Sequence, residues 1–261
     1  MTTTTPLPAA AADWLRPLHS PVRPRARLVC FPHAGGAASF FRDWPRHLAP
    51  DVEVLAVRYP GREDRIAETP ARSMAELAGP VAEAIGTLSA RPTAFFGHSM
   101  GASVAYETAV RLRATGLPGL LLVSGRAAPH RLPDFRVRDD EALIADVRRR
   151  GGPLAGALDH PDLLDLVLPS LRADYRLLED YRAEAVAHRL GIPVAAFHGD
   201  ADPDVPADAV HAWADVGSGT FTARAFPGDH FYLMPHARDL VGDIDARLTA
   251  LSPAPVPERN L

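Results

Sequence analysis

An α/β fold, with a mostly parallel central sheet flanked by helices and a helical insertion late in the chain, follows from three observations. Short apolar runs alternate with helical patterns between about residues 27 and 124. Leu120-Leu121-Leu122-Val123 is apolar without interruption, as a strand covered on both faces must be. From about residue 126 to 190 the alternation stops and helical segments succeed one another, before strand and helix resume.

Composition sets the bounds. Hydrophobic residues at 47% and charged residues at 23% are ordinary globular values, and 261 residues suffice for one large domain. A net charge of −4 offers no general attraction to nucleic acid or to an anionic membrane. The single cysteine, Cys30, cannot form an internal disulfide and sits in an apolar run, where it reads as a small buried side chain. No apolar stretch approaches a membrane span. The Thr-, Pro- and Ala-rich start lacks the basic and apolar regions of a signal peptide. The expectation is a soluble, cytoplasmic protein.

Residues 1–25 carry prolines at positions 6, 8, 17, 21 and 24 and read as a flexible arm, residues 26–251 as one domain, and residues 252–261 as a flexible tail. Residues 28–31 form a strand followed by the loop Pro32-His33-Ala34-Gly35-Gly36, and 40–48 a short helix broken near Pro45. Residues 52–57 form the next strand, ending in Tyr59-Pro60-Gly61-Arg62. Ser73-Met74-Ala75-Glu76 is a capping box opening a helix to about residue 88, with a kink expected at Pro80. Residues 93–96 are strand-like. A helix from Met100 is stopped by Gly116 and Pro118, and its small residues Gly101, Ala102, Ala105 and Ala109 let it lie close on a sheet.

In the insertion, helices are expected over 139–149, 161–168 and 171–181, separated by Gly151-Gly152-Pro153 and by Pro169. The run Arg148-Arg149-Arg150 reads as a solvated helix end favourable to the helix dipole, with a docking role as the alternative. The sheet pattern returns with a strand at 194–197, a helix at 206–216, a strand at 221–226 and an amphipathic helix at 237–251.

Between strand and helix at the centre of this pattern stands Gly97-His98-Ser99-Met100-Gly101, a match to the G-x-S-x-G nucleophile elbow of α/β-hydrolases. A serine at a sharp strand-to-helix turn projects its hydroxyl above the sheet. The helix N-terminus offers unpaired N–H groups to a developing oxyanion. The pattern alone is common by chance; the strand before it and the helix after it make it specific.

A serine hydroxyl needs a base, and the base an orienting carboxylate, in the order Ser, Asp/Glu, His on loops after later strands. Gly228-Asp229-His230-Phe231 follows the last strand, which makes His230 the base; His211 and His236 fall at helical positions and read as surface residues. Asp200, Asp202 and Asp204 share one loop, and their chemistry does not choose among them. Asp200 can shape the turn, Asp204 can act near a helix cap, and Asp202 is held extended by Pro203. Backbone N–H groups of Met100 and Ala34 are the expected oxyanion donors, with His33 bracing its loop.

Six segments in order resemble the type II (external) thioesterases of polyketide and nonribosomal-peptide pathways. They are the loop 31–36, Tyr59-Pro60-Gly61-Arg62, the elbow, the run Leu168-Pro169-Ser170-Leu171-Arg172-Ala173-Asp174-Tyr175, Gly199-Asp200-Ala201-Asp202-Pro203 and Gly228-Asp229-His230-Phe231. The resemblance implies an α/β-hydrolase fold, Asp202 as the triad acid, and a mobile lid over about 126–190. It also implies hydrolysis of acyl groups from the phosphopantetheine of acyl- or peptidyl-carrier domains, without metal or cofactor. The carrier is acidic in general, which is the basis of the alternative reading in which Arg148 and Arg149 steer docking. A general carboxylesterase and a catalytically silent carrier-binding scaffold are the alternative functions.

Overall fold

The structure is a computed structural model that describes residues 6–134, 136–182 and 189–251. Its elements are α1 (Ala9–Ala12), β1 (Leu15–His19), β2 (Ala26–Phe31), β3 (Val52–Val57), α2 (Met74–Gly86), β4 (Thr93–His98), α3 (Met100–Leu112) and β5 (Leu120–Ser124). After these come α4 (Asp140–Arg150), α5 (Pro153–Ala157), α6 (Pro161–Asp180), β6 (Val194–Gly199), α7 (Ala207–His211), β7 (Phe221–Phe226) and α8 (Ala237–Leu251). The strands make one sheet in the order β1-β3-β2-β4-β5-β6-β7, parallel throughout except for β1, which pairs antiparallel with β3.

Strand periodicity divides the core. On β2, Val29 and Phe31 join one apolar layer with α2 and α3, while Leu28 and Cys30 join the opposite layer with α8. Both faces of β4 are buried in the same way, through Phe95 on one side and Phe96 on the other. Burial on both faces explains why these strands lack a polar alternation. Cys30 is fully buried, and burial pushes its thiol well above its ordinary value.

Several expectations need correction. Within the expected arm, the described residues from 6 onward are not loose throughout: α1 packs near the start, and β1 adds an edge strand with Leu15 opposite Val57 and Pro17 opposite Leu55. An edge strand tolerates Pro17 because its missing N–H removes no bond from a central ladder. The stretch 38–47 is two 3-10 turns, Ala38–Phe41 and Trp44–His47, with Pro45 inside the second rather than breaking an α-helix. The helix expected over 206–216 is the short α7 followed by a 3-10 turn, Ala212–Asp215. In the insertion, α6 runs unbroken through Pro169. Burial of Leu168, Leu171 and Tyr175 in the insertion's own core, and of Leu177 against the main core, outweighs the roughly 3 kcal/mol that an interior proline costs. The helix at 73–88 is capped as expected, Glu76 N–H donating to Ser73 Oγ at 3.3 Å. The tail at 252–261 lies outside the described residues.

The insertion α4–α6 lies between β5 and β6 and carries its own small core of Leu143, Val147, Leu158, Leu168, Leu171 and Tyr175. Among the described residues, no helix is long and apolar enough to cross a membrane.

Candidate active site

Ser99 occupies the turn between β4 and α3 with φ 54° and ψ −119°, a left-handed conformation that costs energy for any residue but glycine. The flanking glycines explain how the turn closes. A Cβ on Gly97 would lie 2.2 Å from the Gly101 carbonyl oxygen, and one on Gly101 would lie 2.0 Å from that of Phe31. The end of β2, the elbow and the start of α3 therefore meet backbone to backbone. Met100 is the first residue of α3, so its N–H is among those that a helix start leaves without an intrahelical partner.

His230 follows β7 and brings its imidazole to the serine. Its Nε2 lies 2.9 Å from Ser99 Oγ, and its Nδ1 lies 2.7 Å from Asp202 Oδ2. All three side chains are buried. Burial by itself would raise the Asp202 carboxyl. The hydrogen bond and charge of His230, the Asp204 amide and the charge of Arg150 outweigh it and hold the group below its ordinary value. Asp202 thus stands as a carboxylate against the imidazole.

The other two aspartates of the loop have different partners. Asp200 Oδ1 accepts from the Gly228 N–H at 3.0 Å, which ties the two site loops together as a turn-shaping residue should. Asp204 does not cap α7; it accepts from Arg149 Nη2 at 2.8 Å and pairs with Arg150 Nη1 at 2.9 Å. Its own N–H donates to Asp202 Oδ1 at 3.0 Å. The arginine run at the end of α4 is accordingly ion-paired rather than simply solvated: Arg148 meets Asp159, while Arg149 and Arg150 also meet Asp146. His211 is exposed, and half-buried His236 packs against the Phe226 ring.

Sequence reasoning missed a buried polar chain beneath the triad. His98 Nδ1 lies 2.9 Å from Ser124 Oγ, which lies 2.6 Å from the Tyr232 hydroxyl. The His98 ring packs 5.0 Å from that of His230, and burial, with the neighbouring His230, pulls it well below its ordinary value. His98 is therefore neutral. No spacing rule links residues 98, 124 and 232; the only hint was the lone polar residue ending the Leu120–Ser124 run. His33 is also neutral, lowered to about 3 chiefly by burial. Its ring stands edge-on to Phe40 and Phe231, and neither ring nitrogen has a hydrogen-bond partner among the described residues. That is a bracing role, as expected.

A cavity of about 460 Å³ opens on Ser99 and His230, within the size range of small-molecule sites. Ala34 lines it, together with Leu132, Val147, Leu154 and Leu178. Three of these come from the insertion helices, so that segment walls the site.

Comparison with known proteins identifies the family. A family model for the thioesterase domain matches residues 26–248. The thioesterase PikA5 of Streptomyces venezuelae is 43% identical over 260 residues, spanning 96% of this chain and 90% of that protein. A probable cadicidin biosynthesis thioesterase of Streptomyces griseus is 40% identical over 252 residues, spanning 95% of this chain and 68% of that one. Among solved structures, the type II thioesterase BorB from the borrelidin cluster superposes with a TM-score of 0.80 at 38% identity, covering 90% of this chain and 97% of its own. YbtT, a type II thioesterase from the yersiniabactin pathway, gives 0.82 at 32%, covering 92% and 100%. The chain belongs to the thioesterase family, as a serine-type thioester hydrolase of α/β-hydrolase fold that stands with the type II thioesterases.

Proposed function

We propose that this enzyme clears stalled or aberrant acyl groups from the phosphopantetheine thiol of acyl- or peptidyl-carrier domains, using Ser99, His230 and Asp202. The observation that carries the reading is the hydrogen-bonded row from Asp202 through His230 to Ser99, opening on an apolar-walled cavity. The carrier-bound substrate is supported by relatives such as YbtT, whose pathway joins nonribosomal-peptide and polyketide synthesis.

His230 Nε2 takes the proton of Ser99 as Oγ attacks the thioester carbonyl carbon. Asp202 holds the Nδ1–H and so fixes the tautomer and stabilises the imidazolium that forms. Backbone N–H groups of Met100 and Ala34 receive the oxyanion, each such donor being worth about 3 kcal/mol. The carbon–sulfur bond breaks, and the departing thiolate takes the proton from His230. A water then attacks the acyl-serine, with His230 accepting its proton and returning one to Oγ as the carboxylic acid leaves. These steps need only the chain's own groups and water. The helices α4–α6 act as a lid that keeps bulk water from the acyl chain.

The test follows a short acyl-carrier protein by intact mass as the enzyme acts on it. Wild-type enzyme unloads the carrier and Ser99→Ala does not; equal rates for the two overturn the mechanism. Far faster cleavage of free p-nitrophenyl esters than of carrier thioesters overturns the choice of substrate.

A further inference from the structure

Two segments singled out by the resemblance take no part in the steps above: Tyr59-Pro60-Gly61-Arg62 after β3 and the run around Asp174 in α6. The structure brings them together. The Arg62 guanidinium, 7% exposed, meets the Asp174 carboxylate, 2% exposed, through both ends of its fork, Nη1 to Oδ2 at 2.7 Å and Nη2 to Oδ1 at 2.9 Å. The same Oδ2 accepts the Gly35 N–H at 2.7 Å, and Arg62 Nη1 also donates to the Gly36 carbonyl at 3.2 Å. On the other side of Ala34, the Tyr59 hydroxyl donates to the Pro32 carbonyl at 3.3 Å, and the Arg62 guanidinium lies 5.2 Å over the Tyr59 ring.

We infer that Arg62 and Asp174 are positioning residues that fix the 32–36 loop, so that a helix of the insertion sets where the Ala34 N–H points. The inference rests on the reading of Ala34 as an oxyanion donor. The peptide group that follows Ala34 donates its N–H to Asp174, and the carbonyl of the peptide before it, His33 C=O, accepts the Gly36 N–H at 2.9 Å, so the groups on both sides of the Ala34 Cα are held. A buried ion pair adds little net stability over a well-packed apolar pair. A fork that meets one carboxylate in two parallel bonds while both partners also hold a glycine loop gives what apolar packing does not, a defined orientation. Contact is direct as well. A Cβ on Gly35, whose φ is +70°, would lie 2.5 Å from Leu154 and 2.9 Å from Leu171, so both insertion side chains rest on the loop.

The experiment compares Asp174→Asn and Arg62→Lys with wild type on an acyl-carrier thioester. A second readout is the affinity of an acyl trifluoromethyl ketone, which forms a tetrahedral adduct on the serine. Asp174→Asn keeps the shape but loses the double acceptance, and Arg62→Lys keeps the charge but loses the fork. Both are expected to lower kcat by about tenfold or more with KM changed less than about twofold, and to weaken the ketone by the same factor as kcat/KM. Leu168→Ala, which removes apolar packing from the insertion's core and leaves both partners of the ion pair in place, is the control for general loosening. A rise in KM alone, a ketone affinity equal to wild type, or losses no larger than those of a Leu168→Ala variant with the same melting temperature overturns the inference. If Asp174→Asn does not fold, Arg62→Lys decides by the same criteria. An inactive wild-type enzyme, by contrast, counts against the proposed function and not against the clamp.

Discussion

The Arg150 guanidinium lies 2.9 Å from the carboxylate of Asp204, two residues beyond the aspartate that meets His230. Helix α4 is thereby fastened to the loop that carries the proposed triad acid, and two neighbouring aspartates take up separate tasks. Asp202 faces inward to an imidazole, and Asp204 faces outward to Arg149 and Arg150.

That division predicts opposite results for two similar substitutions. Asp202→Asn leaves the imidazole without its carboxylate and lowers kcat by about 10³- to 10⁴-fold. Asp204→Asn, whose partners are partly exposed, costs at most about 1 kcal/mol of stability. It leaves kcat within about threefold, since Asp202 still meets His230. Steady-state rates on an acyl-carrier thioester, paired with urea denaturation, check both. A large kcat loss in Asp204→Asn assigns the acid wrongly.

Ser99 and His230 were legible because their signals are local: a glycine-spaced elbow between strand and helix, and a histidine in the loop directly after a strand. The choice of Asp202 over Asp200 and Asp204 was not readable from chemistry, since three aspartates within five positions carry the same group. What separates them is the direction each faces once β6 and β7 lie side by side. The edge strand Leu15–His19 was hidden for a similar reason. Its proline, with others at positions 6, 8, 21 and 24 around it, signals irregular chain, and only pairing with β3 reveals a strand. Pro169 misled in the opposite sense, because the energy that keeps α6 whole comes from burial against other elements. The contacts of Arg62 with Asp174 and of Ser124 with His98 and Tyr232 span long sequence separations and leave no periodic trace.

The buried neutral imidazole of His33 makes the fold sensitive to acid. Its value is lowered to about 3, whereas in the unfolded chain it is near 6.5. Between those values the unfolded state binds a proton that the folded state does not, so stability falls as pH drops from 6.5 towards 3. One such group contributes a slope of about 1.4 kcal/mol per pH unit within that window. His33→Phe, which keeps a ring between Phe40 and Phe231, is expected to flatten the pH dependence between 6 and 4 by about that slope. Urea titrations at several pH values measure it. An unchanged slope means that His33 is not buried in its neutral form.

Ser124 holds two buried groups at once, His98 Nδ1 and the Tyr232 hydroxyl. Ser124→Ala therefore strands both and is expected to cost about 2–6 kcal/mol, as each unpaired buried group costs roughly 1–3. Tyr232→Phe removes one end only and costs less. In the double variant the two losses do not add, because the same chain of bonds is broken once. A double-mutant cycle by chemical denaturation reads the coupling, and strict additivity shows that Ser124 and Tyr232 act independently.

The elbow glycines give the sharpest steric test. Gly101→Ala places its new carbon 2.0 Å from the Phe31 carbonyl oxygen, a backbone atom that no side-chain rotation can move aside. Relief requires α3 to shift away from the end of β2, and overpacking of this kind costs about 1–3 kcal/mol or more. The shift also moves Ser99 relative to His230, since the two come from elements on different parts of the sheet. Activity is therefore expected to fall further than stability does, by about 10²-fold for a displacement near 1 Å. Gly242→Ala, on α8 where the added carbon meets nothing within 4 Å, should leave both nearly unchanged. Thermal melts and carrier-unloading rates on the two variants separate the effects. Full activity in Gly101→Ala would mean that the close approach of α3 to β2 is not what seats the nucleophile.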